Sequence, residues 1–254
     1  MTVPLPLHRQ AVSGRALARL RTWVAEVEAW PVGSHRWGHY YEETAAGAVP
    51  CRTENVSACH DGVRRLVEGV LGDIAADAAT AAVADFKDKV NYKHPGGGGF
   101  GPHQDLPAYP GAPEVVSVLV ALDACTEVSG CLWLAPEVSE PLPTDQRGTI
   151  DPAVASSLEW VPVDMHPGDA LVLHGLAPHF SRANTGSQPR RVLVASYAPV
   201  GARYSRDRYY RERRASMLRS AAAGGTTRIS TIDDFEGRRT SGDGHPSATA
   251  CTHG

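Results

Sequence analysis

Residues 169–198 read DALVLHGLAPHFSRANTGSQPRRVLVASYA. Two runs rich in leucine, valine and small apolar residues, 169–174 and 190–198, enclose a stretch that contains Asn, Gly and Pro. Runs of this kind predict β-strands when turn-forming residues bound them. This part of the chain therefore predicts a pair of strands with an irregular connection between them.

Similar runs precede this pair at short spacing. They read EVVSVLVALDA at 114–124, GCLWLA at 130–135 and LEWVPVD at 158–164, and Gly, Pro and Asp turns separate them. No helical pattern intervenes between these runs, and strands arranged in this way indicate an antiparallel sandwich or barrel. We therefore expect a mainly β fold with flanking helices.

The residues before these runs predict the flanking elements. Apolar residues from Leu17 to Val27 recur at steps of three and four, which predicts an amphipathic helix over 14–30. A hairpin or two successive strands are expected over 36–56, and a second helix over about 60–71. A strand follows from Phe86, with one polar row of Lys87, Lys89, Asn91 and Lys93 on a single face. Four glycines at 96–99 then suggest a flexible connection.

The domain organisation is simple. We expect one domain over residues 1–220, including an N-terminal helical cover, and a weakly packed tail over 221–254. The tail has low hydrophobicity, although Ile229, Ile232 and Phe235 are suited to pinning its first half to the domain.

Composition excludes several classes of protein. The chain has 254 residues with 42% hydrophobic and 21% charged residues, which is typical of a soluble globular domain. Its formal net charge of −3 gives no basic footprint for nucleic acid. The five cysteines form no CxxC pair, which disfavours a disulfide framework and a cysteine zinc site. Because no apolar run is long enough to span a membrane and no secretory pattern is visible, we expect a cytoplasmic protein.

Three residues suggest a metal site. His103 and Asp105 are two positions apart, so on an extended segment both side chains point to the same side. His179 ends a further β-prone stretch and can complete the set from a neighbouring strand. Two imidazoles and one carboxylate on one face, with open coordination positions, are typical of non-haem Fe(II) oxygenases.

The residues after His179 add an anchor for an anion. Ser181, Asn184 and Arg190 follow it by two, five and eleven positions. A strand that turns through Asn-Thr-Gly and returns with Arg190 can direct a guanidinium into the barrel, where its fork matches a carboxylate. His174 is the alternative ligand, but the spacing of Ser, Asn and Arg is counted from His179.

The combined pattern resembles the phytanoyl-CoA dioxygenase-like family of Fe(II)- and 2-oxoglutarate-dependent oxygenases. The matching pieces are His103/Asp105, Gly130-Cys131-Leu132, Gly168-Asp169 and His179/Ser181/Asn184/Arg190. The resemblance implies a double-stranded β-helix (jelly roll, cupin-like), with iron held by His103, Asp105 and His179. It also implies that Arg190 and Ser181 bind the distal carboxylate of 2-oxoglutarate, that Asn91 and Lys89 contact the same cosubstrate, and that O₂ is the oxidant.

Two details bear on the reaction that the resemblance implies. Residues 135–139, APEVS, replace the family's usual Pro-Gly-Ser-His after the GCL strand, in a region that covers the site. Asp105 keeps the carboxylate ligand, so the open halide position of related halogenases is not expected. Hydroxylation is therefore favoured over chlorination.

Candidate substrate contacts lie outside this pattern. Arg52 and Glu54, with Asn55, form a polar cluster at a strand end, where the family's additional elements cover the mouth of the barrel. Trp133 is a candidate for the pocket wall, with a position in the core as the alternative, and Trp37, with His39 and Tyr40, is a candidate for the cover. The arginines between 203 and 219 are interpreted as a solvated helix face, with contact to an anionic substrate or partner as the alternative.

The leading hypothesis is an enzyme that hydroxylates an unactivated C–H bond of a small molecule, in natural-product biosynthesis. A small amino-phosphonate or an amino-acid-like metabolite is the alternative substrate within the class. A cupin-type metal isomerase or dioxygenase without a cosubstrate would have no use for Arg190. A non-catalytic jelly-roll binding module is the remaining alternative.

Overall fold

The computed structural model describes residues 6–32, 36–145, 148–202, 204–222, 229–232 and 234–240. Its strands are β1 (Leu7–His8), β2 (Gly38–Thr44), β3 (Gly47–Glu54), β4 (Val83–Lys93), β5 (Phe100–His103), β6 (Val116–Ala121), β7 (Leu132–Leu134), β8 (Val161–Val163), β9 (Ala170–His174), β10 (His179–Ser181), β11 (Arg190–Pro199) and β12 (Arg238–Arg239). Its helices are α1 (Gly14–Glu28), α2 (Asp61–Glu68), α3 (Val70–Ala79), α4 (Pro152–Ser157) and α5 (Arg206–Ala222), with a 3₁₀ turn at Leu106–Ala108. None of these helices is both long and apolar enough to cross a membrane.

The strands form two antiparallel sheets. The larger has the order β1-β9-β6-β11-β4-β3-β2-β12, and the smaller has the order β5-β10-β7-β8. Leu171 and Val192 of the larger sheet share an apolar cluster with Leu134 and Val163 of the smaller one, so the two sheets pack face to face. The predicted mainly β class is confirmed.

The larger sheet has two different faces, and β4 shows why. Val90 and Tyr92 point toward the apolar cluster that includes Leu20, Val24 and Val27 of α1. The alternate residues of β4 point to the opposite face, which lines a cavity between the sheets. Because successive side chains of a strand alternate between faces, the polar row of β4 has to line the interior of the barrel.

The N-terminal helices follow their sequence signals, with one correction. The second predicted helix, 60–71, does not run through to its expected end. It is interrupted at Gly69, whose φ of −95° and ψ of −113° are not helical, and α3 begins immediately afterwards. His60 caps α2 by accepting a hydrogen bond from the Val63 amide.

The four-glycine connection is packed rather than free. A Cβ added at Gly98 would lie 2.2 Å from the Cα of Gly237, and one added at Gly99 would lie 2.4 Å from the carbonyl oxygen of Ser181. Both distances are too short for any side chain. The glycines are therefore required because other backbone segments pass directly over them.

The segment from 229 to 240 packs against this connection. Ile229, Ile232 and Phe235 are buried, as the sequence suggested. The segment also contacts β5: the Gly101 amide donates to the Asp234 carbonyl at 2.8 Å, and β12 pairs with β2. It thereby lies over one side of the cavity, a position that the sequence did not indicate.

Candidate active site

The three predicted metal ligands are brought together by strand pairing. β10 pairs with β5 so that His179 lies opposite His103, with ring centroids 4.2 Å apart. Asp105 follows β5 at the start of the 3₁₀ turn, and its Oδ1 is 4.0 Å from His103 Nε2. One ligand atom from each of the three residues lies within 4.8 Å of the other two.

The chemistry of these donors fits Fe(II). His103 Nδ1 lies 2.8 Å from the Gly101 carbonyl oxygen and His179 Nδ1 lies 3.0 Å from the Ala177 carbonyl oxygen, which leaves both Nε2 atoms for a metal. Burial, with His103 nearby, lowers the pKa of His179 to about 4, so its imidazole is neutral at pH 7. Two imidazoles and a carboxylate form the set typical of non-haem iron sites.

The Asp105 carboxylate is kept ionised by its neighbours. Burial acts to raise its pKa, but its electrostatic interactions with His179, Lys89 and Lys87 together outweigh burial. The pKa of Asp105 consequently lies below its ordinary value. An ionised carboxylate is the form that binds a metal cation.

We call Arg190, Lys93 and Ser181 the Arg190 end of the cavity. Arg190 lies opposite Lys93 in the β11–β4 pairing, and Lys93 Nζ donates to Ser181 Oγ at 2.9 Å. Arg190 donates from Nη2 to the Gly130 carbonyl oxygen, while its buried Nε has no partner among the described residues. A buried donor without an acceptor is costly, so this end suits an incoming carboxylate.

Lys93 is the residue of this end that the sequence reasoning did not select. The sequence feature that could have identified Lys93 is its place in the polar row of β4, two positions after Asn91. Burial and the charge of Arg190 hold the pKa of Lys93 well below its ordinary value. A bound anion would therefore stabilise the protonated form of this lysine.

We call Arg52, Lys87 and Lys89 the Lys89 end. Lys87 Nζ donates to the Tyr109 hydroxyl at 2.6 Å, whereas no hydrogen-bond partner for Lys89 is found in the part of the chain that the structure describes. Burial, Arg52 and Lys87 hold the pKa of Lys89 well below its ordinary value. Lys89 also lies close enough to Asp105 for their charges to interact, which places this end beside the metal ligands.

Glu54 lies outside the cavity lining and pairs with Arg52 of the Lys89 end. Its Oε1 lies 3.5 Å from Arg52 Nη1, and its Oε2 lies 3.5 Å from Nε of Arg213, a residue of α5. Burial acts to raise its pKa, but Arg213 and Arg52 lower it further, so Glu54 is an ionised carboxylate. Arg52 and Glu54, predicted as substrate contacts, are thus both buried at the cavity, with Arg52 in its lining.

Asn91 lies between the two ends. Its Oδ1 accepts a hydrogen bond from Arg52 Nε at 3.0 Å, and its side chain lines the cavity. Along β4 it is two residues from Lys89 and two from Lys93. The residue is placed to contact a ligand of either end.

Charge is unevenly distributed over the cavity wall. Among the described lining residues the cationic side chains are Arg52, Lys87, Lys89, Lys93 and Arg190, and the carboxylates are Asp105 and Asp234. Cations outnumber carboxylates by three, and most of these groups are buried away from water. The cavity is therefore built to hold negatively charged molecules.

Two predicted substrate contacts do not line the cavity. Trp133 stacks on Phe180, with ring centroids 5.8 Å apart, and packs partly buried against the apolar cluster between the sheets, whereas its neighbour Leu132 lines the cavity. Trp37 stacks on Trp30 at 4.6 Å beside α1, and its Nε1 donates to the Pro31 carbonyl oxygen. Neither tryptophan belongs to the cavity lining.

The neighbours of these candidates are structural. His39 hydrogen-bonds with Thr53 and Tyr41 on the outside of the barrel, and the Tyr40 hydroxyl donates to Glu54 Oε2 at 3.3 Å. Asn55 accepts from Arg206 at 2.9 Å. None of the three lines the cavity.

The structure bears on two further expectations, one about His174 and one about the arginines between 203 and 219. His174 is exposed at the end of β9, 3.8 Å from Glu114, and lies outside the cavity, as expected. The solvated arginine face is wrong for Arg206, which pairs with Asp85 and Asp88, and for Arg213, which is buried beside Glu54. The carboxylates on β3 and β4 draw these two arginines inward.

Comparisons with known proteins agree with this geometry. The family described as "Phytanoyl-CoA dioxygenase (PhyH)" matches residues 7–192, which is most of the chain. The chain belongs to the phytanoyl-CoA dioxygenase family. It is therefore an enzyme, an oxygenase that uses Fe(II) and 2-oxoglutarate, as the sequence predicted. This result excludes the binding-module and cupin-isomerase alternatives.

Two relatives extend over most of the chain. A methylphosphonate hydroxylase from Gimesia maris is 40% identical over 223 residues, which cover 86% of each chain. A 2-aminoethylphosphonate dioxygenase from an uncultured bacterium is 30% identical over 220 residues, which cover 82% of each chain. Both proteins are similar to this chain along nearly its full length.

Solved structures confirm the jelly-roll fold. The epimerase SnoN, in complex with Fe³⁺, alpha ketoglutarate and nogalamycin RO, has a TM-score of 0.64 and is 19% identical, covering 78% of this chain and 80% of its own. EctD from S. alaskensis, with 2-oxoglutarate and 5-hydroxyectoine, also has a TM-score of 0.64 and is 18% identical, covering 78% of this chain and 73% of its own. At these identities the likeness establishes the fold alone.

Proposed function

We propose that this oxygenase hydroxylates the carbon next to phosphorus in a small alkylphosphonate. The observation that carries the proposal is the charge of the cavity. Its lining holds three more cations than carboxylates, and Fe(II) adds two positive charges that 2-oxoglutarate, a dianion, neutralises. Glu54 lies outside the lining and pairs with Arg213 as well as with Arg52, so these two outer charges cancel and the lining keeps an excess of cations for a second anion.

The metal and cosubstrate have proposed positions in this scheme. His103, Asp105 and His179 hold the iron, and Arg190 with Lys93 and Ser181 holds the distal carboxylate of 2-oxoglutarate. The bound iron and cosubstrate supply the activation of O₂, while these side chains orient the cosubstrate and exclude water. Asn91 contributes its amide between the two anions.

The Lys89 end is the proposed phosphonate subsite. Lys89 and Lys93 are four residues apart on β4, about 13 Å along an extended strand, so one compact anion cannot contact both ends. Lys89 lacks a described hydrogen-bond partner, and Lys87 and Arg52 lie beside it. We therefore assign Lys89 to the substrate rather than to 2-oxoglutarate, which the resemblance had implied.

The names of the relatives support the same substrate class. The Gimesia maris protein is called a methylphosphonate hydroxylase, and the second relative a 2-aminoethylphosphonate dioxygenase. The amino-phosphonate alternative drawn from the sequence thus gains support as a class. Natural-product biosynthesis, the leading expectation, stays a prediction.

The proposal is tested by following the phosphorus atom directly. Purified enzyme is incubated with Fe(II), 2-oxoglutarate, O₂ and one substrate at a time: methylphosphonate, ethylphosphonate or 2-aminoethylphosphonate. We expect ³¹P NMR to show a new α-hydroxyphosphonate resonance, formed in step with succinate. Methanesulfonate, a tetrahedral monoanion, and the His179→Ala variant serve as controls and should give no product.

Two results would contradict the proposal. Succinate release that no phosphonate stimulates would exclude this substrate class while leaving the oxygenase intact. Equal turnover of methanesulfonate and methylphosphonate would show that the second negative charge is not recognised.

A further inference from the structure

The carboxylate of Asp234 lies against one of the proposed iron ligands. Its Oδ2 is 3.2 Å from His103 Nδ1, on the side of the ring opposite the metal position. The side chain is 1% exposed, and neither carboxylate oxygen makes a hydrogen bond to any described residue. Burying a carboxylate without a hydrogen bond is costly unless a neighbouring group compensates it.

The C-terminal segment fixes Asp234 in this place. The Gly101 amide donates to the Asp234 carbonyl oxygen at 2.8 Å, and the Glu236 amide donates to the Gly99 carbonyl oxygen at 3.0 Å. Phe235 bridges to Phe100, with ring centroids 5.2 Å apart. The segment therefore runs beside β5, the strand that carries His103, although it lies beyond the residues that match the family.

His103 and His179 differ in the hydrogen-bond acceptors that lie near their Nδ1 atoms. His179 Nδ1 has only the Ala177 carbonyl oxygen within the described contacts, at 3.0 Å. His103 Nδ1 has two acceptors in reach, the Gly101 carbonyl oxygen at 2.8 Å and the Asp234 carboxylate. When Nε2 of an imidazole binds a cation, the ring gains positive charge, and a carboxylate at Nδ1 stabilises it and fixes its orientation.

We propose that Asp234 is a positioning residue that strengthens iron binding by holding His103. The inference rests on the proposed role of His103 as a ligand. It explains why a carboxylate is buried there without other partners: the metal-bound imidazole supplies the compensating charge. The C-terminal segment then completes the iron site rather than merely covering it.

The test measures metal affinity rather than turnover. Metal-free protein is titrated anaerobically with Fe(II) and, separately, with Co(II), which reports binding through its visible absorption. We expect Asp234→Asn to weaken both metals about 10- to 100-fold and Asp234→Glu to recover part of the loss. The control is Glu236→Gln, which removes an exposed carboxylate of the same segment and should leave the affinity within about twofold.

A spectroscopic signature separates positioning from a general loss of structure. In the Co(II) form the two ligand imidazoles should give two exchangeable Nδ1–H proton resonances shifted by the metal. Asp234→Asn should move the resonance of His103 and leave that of His179 in place. Movement of both resonances together would contradict a specific role for Asp234.

The remaining outcomes distinguish this inference from the ligand assignment. If His103→Ala binds metal as tightly as the wild type, the ligand assignment itself is wrong. If His103→Ala abolishes binding but Asp234→Asn does not weaken it, only the inference fails. Unchanged metal affinity with a selective rise in KM for 2-aminoethylphosphonate would also overturn it, because Asp234 would then bind the substrate ammonium group.

Discussion

The two cationic ends of the cavity are built differently although both face the same metal ligands. The Arg190 end comes from β4, β10 and β11, and its cations contact a hydroxyl and backbone carbonyl oxygens. The Lys89 end comes from β3 and β4 and is held by Glu54, which in turn is held by Arg213 of α5. The cations of the Arg190 end contact uncharged groups within the barrel. The Lys89 end belongs to a charge network that α5 supports from outside the barrel.

This difference accords with the two proposed roles, a cosubstrate site at the Arg190 end and a substrate site at the Lys89 end. The residues of both ends lie within the stretch that matches the family, so the match alone does not distinguish them. The Lys89 end depends on α5 and lies beside the segment from 229 to 240, both beyond that match. Function is set by sites that are added to a fold, so we expect these elements outside the matched residues to contribute to substrate choice.

The largest effect is expected from removing a proposed iron ligand, because both ends of the cavity face these ligands. His179→Ala or Asp105→Ala removes a proposed iron ligand, so both the cosubstrate and the substrate lose their common centre. We expect iron-dependent turnover to fall to background, measured as succinate release. A metal-replete, active Asp105→Ala enzyme would contradict the ligand assignment.

A smaller effect is expected at the Arg190 end alone. Arg190→Ala removes a buried guanidinium, and losing one partner of such a charge pair costs about 2–5 kcal/mol. The Kd for 2-oxoglutarate, measured by anaerobic titration of the Fe(II) complex, should rise about 100-fold or more. Arg182→Ala, which removes an exposed arginine stacked over Trp133, is the matched control and should leave this Kd unchanged.

The smallest effect is expected outside both ends. Trp37→Phe and Trp133→Phe change the aromatic contacts of two side chains that do not themselves line the cavity. We expect kcat/KM for the phosphonate to stay within about twofold and the free energy of unfolding to change by about 1 kcal/mol or less. A tenfold loss of kcat/KM in either variant would show that the cavity extends further than described.

The sequence predicted the parts of the site that follow from local spacing. His103 and Asp105 were selected from their spacing, and Arg190 from the turn that precedes it, and the structure brings all three to one cavity. Asp105 reaches the cavity from the turn after β5, however, and not from the strand itself as the spacing argument assumed. Lys93 belongs to the polar row of β4 but was not selected. The neighbouring sequence does not indicate which residue of that row contacts a ligand. The register of β4 against β11 decides this, and register depends on distant residues.

The errors share a physical cause. Trp133 was assigned to the cavity although the neighbouring Leu132 lines it instead, and the phase of a three-residue strand cannot be read from its composition. Arg213 and Asp234 reach the site from segments far along the chain. Their roles come from long-range packing, which leaves no periodic signal in the sequence.

The most direct test of the account is to measure both ligands in variants of both ends. The 2-oxoglutarate Kd and the methylphosphonate KM are determined for Arg190→Ala and for Lys89→Met, which removes a charge with no described partner. We predict a crossed result: Arg190→Ala weakens chiefly 2-oxoglutarate, whereas Lys89→Met raises the phosphonate KM about 10- to 100-fold and leaves 2-oxoglutarate within about threefold. If both variants weaken the same ligand, the two ends form one anion site and the account is wrong.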